Sequence, residues 1–478
     1  MDQLCKNTFT PITRRGMLQD TAAGFGWLAF AGLHGQIAKA AESSFTSPLA
    51  AKAPHFAPKA KRVIFLFMQG GPSHLDTFDW KPKLAAANGK TEGGGGGKKG
   101  GKLLAPQFKF NPSGKSGLMI SELFPELSKH ADDLCLLNGM HTSNAAHPQA
   151  SIALHTGSVN FVRPSLGSWA VYGLGTANEN LPGFVTINPS NNVGGAQNYG
   201  SSFLPASYQG TRIESAAGGI PDIRNTHLSD AQQRKQIDLV QAMNRELVTS
   251  YPGNNELEGV IQSYELAYRM QTSVPNVVNL SKESAATKER YGIGGGKAVA
   301  KGKKGSGGNA GGFGAQCLMA RRLAESGVRF IQISKGGWDQ HKNLKGALTN
   351  NCNDIDKPIA ALLSDLKDRD MLKDTLVVWG GEFGRTPQAQ AADGNGRRHN
   401  NRGYSMWMAG GGVKGGMRYG STDEIGGTAV EGKLGTPDLH ATILHLLGLD
   451  HTKLTYPYAG RDFRLTDVYG EVAKEIIS

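Results

Sequence analysis

The sequence has few cysteines, no long apolar runs outside its start, and little net charge outside three short segments. Only four of its 478 residues are cysteine (Cys5, Cys135, Cys317 and Cys352), and no two have CxxC spacing. That excludes a disulfide-built scaffold and a thiolate zinc cluster, and leaves room for one disulfide at most. Beyond the first 40 positions no apolar stretch reaches the uninterrupted length of a membrane span, about 18 residues or more, which excludes a multi-pass membrane protein. No repeat recurs at a fixed period, so a solenoid is not indicated either. Apolar residues make up 39% of the chain, enough for a globular core at this length.

The formal charge of +12 suggests a nucleic-acid partner until the lysines are located. Gly89–Lys102 reads GKTEGGGGGKKGGK and Gly292–Gly314 reads GIGGGKAVAKGKKGSGGNAGGFG. Neither segment has the apolar content to pack, so both read as low-complexity surface insertions. They carry +3 and +4, the first 40 residues carry +2, and +3 remains for everything else. A basic face on the folded core is not indicated, and no nucleic acid is expected.

Thr13-Arg14-Arg15-Gly16-Met17-Leu18 precedes a Gly- and Ala-rich apolar stretch, Thr21 to Ile37, that ends in Ala38-Lys39-Ala40. A twin arginine, a moderately apolar run and an Ala-x-Ala site are the parts of a twin-arginine export signal. Residues 1–40 are read as that signal, 41–60 as a linker, 61–470 as one α/β domain and 471–478 as a tail. The expected destination is the periplasm or cell envelope.

Short apolar runs bounded by glycine or polar residues recur at Val63–Met68, Leu134–Leu137, Phe184–Ile187, Val328–Ile333, Leu376–Trp379 and Ser405–Met408. Helical patterns lie among them at Ala315–Ser326, Lys357–Arg369 and Pro437–Leu447. This alternation predicts a mostly parallel sheet layered by helices, with its chemistry on the loops after the strands. Residues 230–272 show helical periodicity alone and predict an inserted helical hairpin.

The predicted strand ends hold the polar residues. His74 and Asp76 follow the first strand, Asp339 and His341 follow the fourth, and Glu382 and Arg385 follow the fifth. His399 precedes the sixth. A carboxylate and an imidazole two positions apart can face one cation, and an arginine can clamp an oxyanion. Four segments delivering such groups to one sheet edge suit a one- or two-metal hydrolytic site. The metal would be a divalent ion, with zinc first and calcium, magnesium or manganese as alternatives. His34, His55, His130, His445 and His451 read as structural.

Several long motifs resemble one family. Arg62–Asp79 (RVIFLFMQGGPSHLDTFD), Gly195–Thr211, Gly337–His341, Leu376–Pro387 (LVVWGGEFGRTP), Met408–Gly416, His440–Leu447 and Gly460–Val468 (GRDFRLTDV) are similar to the twin-arginine-exported domain of unknown function 1501. That family is sulfatase-like and belongs to the alkaline-phosphatase-like superfamily. The resemblance implies a three-layer α/β/α fold with two metals at strand ends, acting on a small-molecule or polysaccharide ester of phosphate or sulfate type. It implies metal ligands at Asp339, His341, Glu382 and His399, to which the strand-end spacing adds His74 and Asp76. Gln69 stands where the superfamily has a metal-binding aspartate, and Glu382-Phe383 stands where it has Asp-His. Aligning Leu154-His155-Thr156-Gly157 with the sulfatase Leu-Thr-Gly puts His147 at the nucleophile position, with Thr142 and Ser143 as alternatives. The region has no C/S-x-P-x-R string, which disfavours a formylglycine sulfatase. A non-catalytic relative that binds an anionic glycan or an envelope partner through the same pocket is the second reading.

Overall fold

Strand β1 (Arg62–Met68) has no polar side chain after Arg62, so neither of its faces can meet water without loss. In the computed structural model, which describes residues 47, 49–91, 101–214, 227–250, 255–294, 312–390 and 395–478, the six residues after Arg62 are buried. Alternate side chains of a strand point to opposite faces. Phe65 and Phe67 lie against His155 on one side, and the buried Ile64, Leu66 and Met68 face the other, so both faces are covered.

In chain order, the main-sheet strands and larger helices after β1 are β2 (Leu134–His141), α1 (His147–Thr156), α2 (Leu166–Leu174), β3 (Phe184–Ile187) and β4 (Thr211–Ile213). Next come α3 (Asp230–Ser250) and α4 (Asn255–Val278), the expected helical hairpin, and then α5 (Gly312–Glu325), β5 (Phe330–Lys335), α6 (Leu344–Asp368) and β6 (Thr375–Gly380). The hairpin β7 (Gly384–Ala389) and β8 (Arg397–Asn400) leads into β9 (Tyr404–Ala409), β10 (Met417–Tyr419), β11 (Leu434–Gly435) and α7 (Thr436–Leu446). Among the described residues the main sheet runs β10-β2-β9-β6-β1-β5-β3-β4, with β11 also on β2. Every pairing in it is parallel except those of β9, which runs antiparallel to β2 and β6.

This order determines which residues meet. β2, β1, β5 and β6 all point the same way, so the loops holding His147, Gln69, Asp339 and Glu382 leave the sheet at one edge. Because β9 is reversed, the residues before it, including His399, reach that same edge.

The described part of the linker and the tail are both tied to the domain. Leu49 and Ala60 are buried, and the backbone of residues 52–60 bonds to Leu174, Leu446 and Gly448. Ile476 is buried and Lys414 N donates to its carbonyl. Apolar side chains at these positions explain why neither segment remains a spacer. Cys135, Cys317 and Cys352 are free and buried, so the one disulfide that the sequence allowed is not formed among them. No described helix is long and apolar enough to cross a membrane. The signal and most of both Lys/Gly insertions lie outside the described residues.

Helix α1, with His147 at its N-terminal end, contains the buried His155, which bonds within the helix, and is tied to α7 by the buried His440. His155 Nδ1 donates to Ser151 O at 2.7 Å, and His440 Nε2 donates to Leu154 O at 2.7 Å. Burial pushes each down to about 4. The folded chain keeps both neutral while the unfolded chain protonates them near 6.5, so stability is full above that pH and falls as pH drops toward 4. The unfolded chain takes up as many as two more protons than the folded one inside that window, a slope of at most about 3 kcal/mol per pH unit. Urea midpoints should therefore fall steeply between pH 6.5 and 4.5, and equal midpoints would rule out the two histidines as the cause.

Candidate metal centre

The floor of the site is a close approach between two loops. Gly70 has φ +117°, and a Cβ there would sit 2.6 Å from Asp339 N and 2.8 Å from Trp338 C. Only glycine permits that contact. Arg385, fully buried, ties the same loops together. Its Nε donates to Gly71 O at 2.8 Å, and its Nη2 donates to Trp338 O at 3.1 Å, to Asp339 Oδ1 at 2.7 Å and to Gly70 O.

Asp339 Oδ1 is the point on which the cluster converges. His341 Nε2 lies 2.9 Å from it, and His147 Nε2 and His399 Nε2 each lie 3.2 Å from it. The Nε2 atoms of His341 and His399 are 2.9 Å apart. Ligand atoms of His147, Asp339 and His399 all fall within 4.8 Å of one another, and His341 borders them.

The partners of the other ring nitrogens fix the tautomers. His147 Nδ1 is 2.6 Å from Glu382 Oε1, His399 Nδ1 is 2.7 Å from Ala145 O, and His341 Nδ1 is 3.3 Å from Gln390 Oε1. All three partners are acceptors, so all three Nδ1 atoms carry the proton. Three Nε2 lone pairs therefore face one another and a carboxylate oxygen. His147 Nε2 is buried, with Asp339 Oδ1 at 3.2 Å. Lone pairs gathered in this way repel unless a cation lies among them. A proton is one such cation: burial opposes charge on His147, yet Asp339 and Glu382 prevail and push it up to about 9. Asp339 is lowered far below the usual carboxylate range, because His147, His399 and Arg385 outweigh its burial. Burial lowers His341, with Arg385 and His399 adding to the effect and Asp339 opposing it.

The structure brings His147, Asp339, His341, Glu382 and His399 together and leaves His74 and Asp76 outside. Asp76 is fully buried against Arg397, with Oδ2 at 2.8 Å from Arg397 Nε and 2.5 Å from Ser73 Oγ, and Oδ1 accepts from Gln107 N at 2.7 Å. A buried guanidinium requires a counter-ion, and Arg397 takes this one. His74 Nε2 faces Gly426 O at 3.0 Å in a dry environment that lowers its basicity. Arg385 is redirected too: its donors are engaged by carbonyls and Asp339 below the site, which removes it as an oxyanion clamp. His147 has one nitrogen on Glu382 and the other in the cluster, a ligand's arrangement rather than an attacking group's. The contributions of Ala145 and Gln390 had no signal in the sequence, since one acts through its backbone and the other is a common surface amide.

Three imidazole nitrogens and a carboxylate oxygen, with each imidazole oriented by an outer acceptor, are a fitting set for a zinc-class divalent ion. Among the described residues, His147, Asp339 and His399 have ligand atoms that all fall within 4.8 Å of one another, and His341 adds its Nε2 through its contacts with Asp339 and His399. A family model described as "Protein of unknown function (DUF1501)" matches residues 60–477. No curated protein matches the sequence. Among solved structures, the lipoteichoic acid synthase LtaP from Listeria monocytogenes is 10% identical over 87% of this chain and 78% of its own, with a TM-score of 0.38. The alkaline phosphatase of the Antarctic bacterium TAB5 is 11% identical over 82% and 99%, with a TM-score of 0.35. The PsFucS1 sulfatase from Pseudoalteromonas sp. is 14% identical over 82% and 68%, with a TM-score of 0.34.

Proposed function

The chain belongs to the DUF1501 family, and from that premise we propose that it is an exported metal-dependent hydrolase of phosphate or sulfate-type esters. The observation that supports this reading best is the convergence of the Nε2 atoms of His147, His341 and His399 on Asp339 Oδ1, with every Nδ1 facing an acceptor. His147, Asp339, His341 and His399 would hold the ion. A divalent ion there supplies Lewis-acid charge to the ester oxygens. Asp339 is nearly half exposed, so the cluster opens to solvent and to a substrate that is small or presented at the end of a polymer. Arg385 acts from below by fixing the Gly70 and Asp339 loops. The twin-arginine signal accounts for export, since that route moves folded, metal-loaded chains to the periplasm or envelope.

A second reading rests on a separate observation. The donors of Arg385 are turned to backbone carbonyls and to Asp339 beneath the site rather than toward a bound ester. That favours a relative that binds an anionic glycan or an envelope partner through the same pocket. Turnover of p-nitrophenyl phosphate and p-nitrophenyl sulfate, measured with Zn, Mn, Mg or Ca, separates the two. Hydrolysis that stops with a chelator, returns with the ion and is missing from His399→Ala supports the hydrolase. A loaded protein that turns over neither ester but binds sulfated polysaccharide supports the alternative.

A further inference from the structure

The superfamily resemblance implies two metals and makes Glu382 a ligand of one of them, yet the surroundings of Glu382 differ from those of a ligand. Its side chain is fully buried. Oε1 lies 3.0 Å from Gly70 N and 2.6 Å from His147 Nδ1, and Oε2 lies 3.1 Å from the same Gly70 N. The carboxylate is thus already bridging a backbone amide and an imidazole. The other groups a second ion would draw on are absent from this spot. Gln69 is neutral, Asp76 is paired with Arg397, and the buried Phe383 ring stands 4.8 Å from the His147 ring and 4.6 Å from that of His399. A Cβ on Gly71 would come within 2.7 Å of that ring, so the space beside Glu382 is filled.

We propose that the site holds a single divalent ion and that Glu382 is a positioning residue, which acts by fixing the tautomer and direction of His147 so that Nε2 points at the ion. The proposal rests on the metal-binding reading above and changes its count. A carboxylate behind a ligating imidazole raises the basicity of the ligand and holds its ring, and losing such a group typically weakens the metal about 10- to 100-fold.

The experiment is zinc binding by the full chain, by competition with a chromophoric chelator, with bound zinc counted by native mass spectrometry. Wild type should bind one ion. Glu382→Gln should still bind one, with Kd raised about 10- to 100-fold. The His147→Ala chain should show no further loss when Glu382→Gln is added, because the carboxylate acts only through that ring. A purely structural role would instead give additive losses that follow the melting temperature of the zinc-free protein. Two ions in wild type and one in Glu382→Gln would overturn the proposal by making Glu382 a ligand, as would an unchanged Kd. If Glu382→Gln does not fold, the wild-type count still decides between one ion and two. No zinc in wild type would instead defeat the metal reading itself.

Discussion

His399→Ala is expected to lose the bound divalent ion with little change in the fold, and Asp339→Asn to lose it together with some stability, because Asp339 is also the 2.7 Å counter-ion of the buried Arg385. His399 Nε2 and Asp339 Oδ1 lie 3.2 Å apart in the cluster, and both side chains reach solvent. Structural zinc sites bind with roughly 10–16 kcal/mol shared over about four ligands, so removing one should cost roughly 100- to 1,000-fold in Kd. Asparagine is preferred to alanine at position 339 because it keeps an acceptor for the buried Arg385, which otherwise loses its 2.7 Å partner. Elemental analysis of protein exported in the presence of zinc, against its circular dichroism and melting curve, measures both halves. Variants that retain stoichiometric zinc would remove these residues from the site.

Asp76→Ala should do the opposite, lowering stability on the order of 3–5 kcal/mol while the folded fraction still binds the ion. The pair Asp76–Arg397 is fully buried on both sides, and Arg397 also donates to the carbonyls of Leu104, Ala105, Thr386 and Pro387. Removing the carboxylate strands a guanidinium with no other acid among those contacts. Arg397 opens the strand that contains His399, so this pair secures the hairpin under the site without touching the ion. Guanidinium unfolding of Asp76→Ala, beside zinc binding by the folded Asp76→Asn, separates the roles. If Asp76→Asn removed the zinc at unchanged stability, Asp76 would be a ligand, as its place in the sequence suggests.

The strand ends carry the polar cluster, and glycines after short apolar runs mark those ends in the sequence. Asp339, His341 and His399 could be read in that way. His147 was visible only through a motif alignment, and its role there was an attacking group. His74 and Asp76 misled because a His-x-Asp spacing looks the same whether the pair faces a cation or a buried arginine 321 positions away. Arg385 misled for a related reason, since a lone arginine after a glycine turn can point up at a ligand or down at carbonyls.

By itself the sequence determined the alternation of strands and helices, the helical hairpin and the near-neutral core. These follow from local periodicity and composition, which need no knowledge of distant residues. The tertiary structure alone decided which charged groups face solvent and which face each other. Glu382 became the partner of His147, Arg385 a tie between loops, and Asp76 the counter-ion of Arg397. Each of those outcomes depends on strand order and on the reversed strand β9. Desolvation then requires every buried charge to find a partner, and that partner can lie anywhere in the chain.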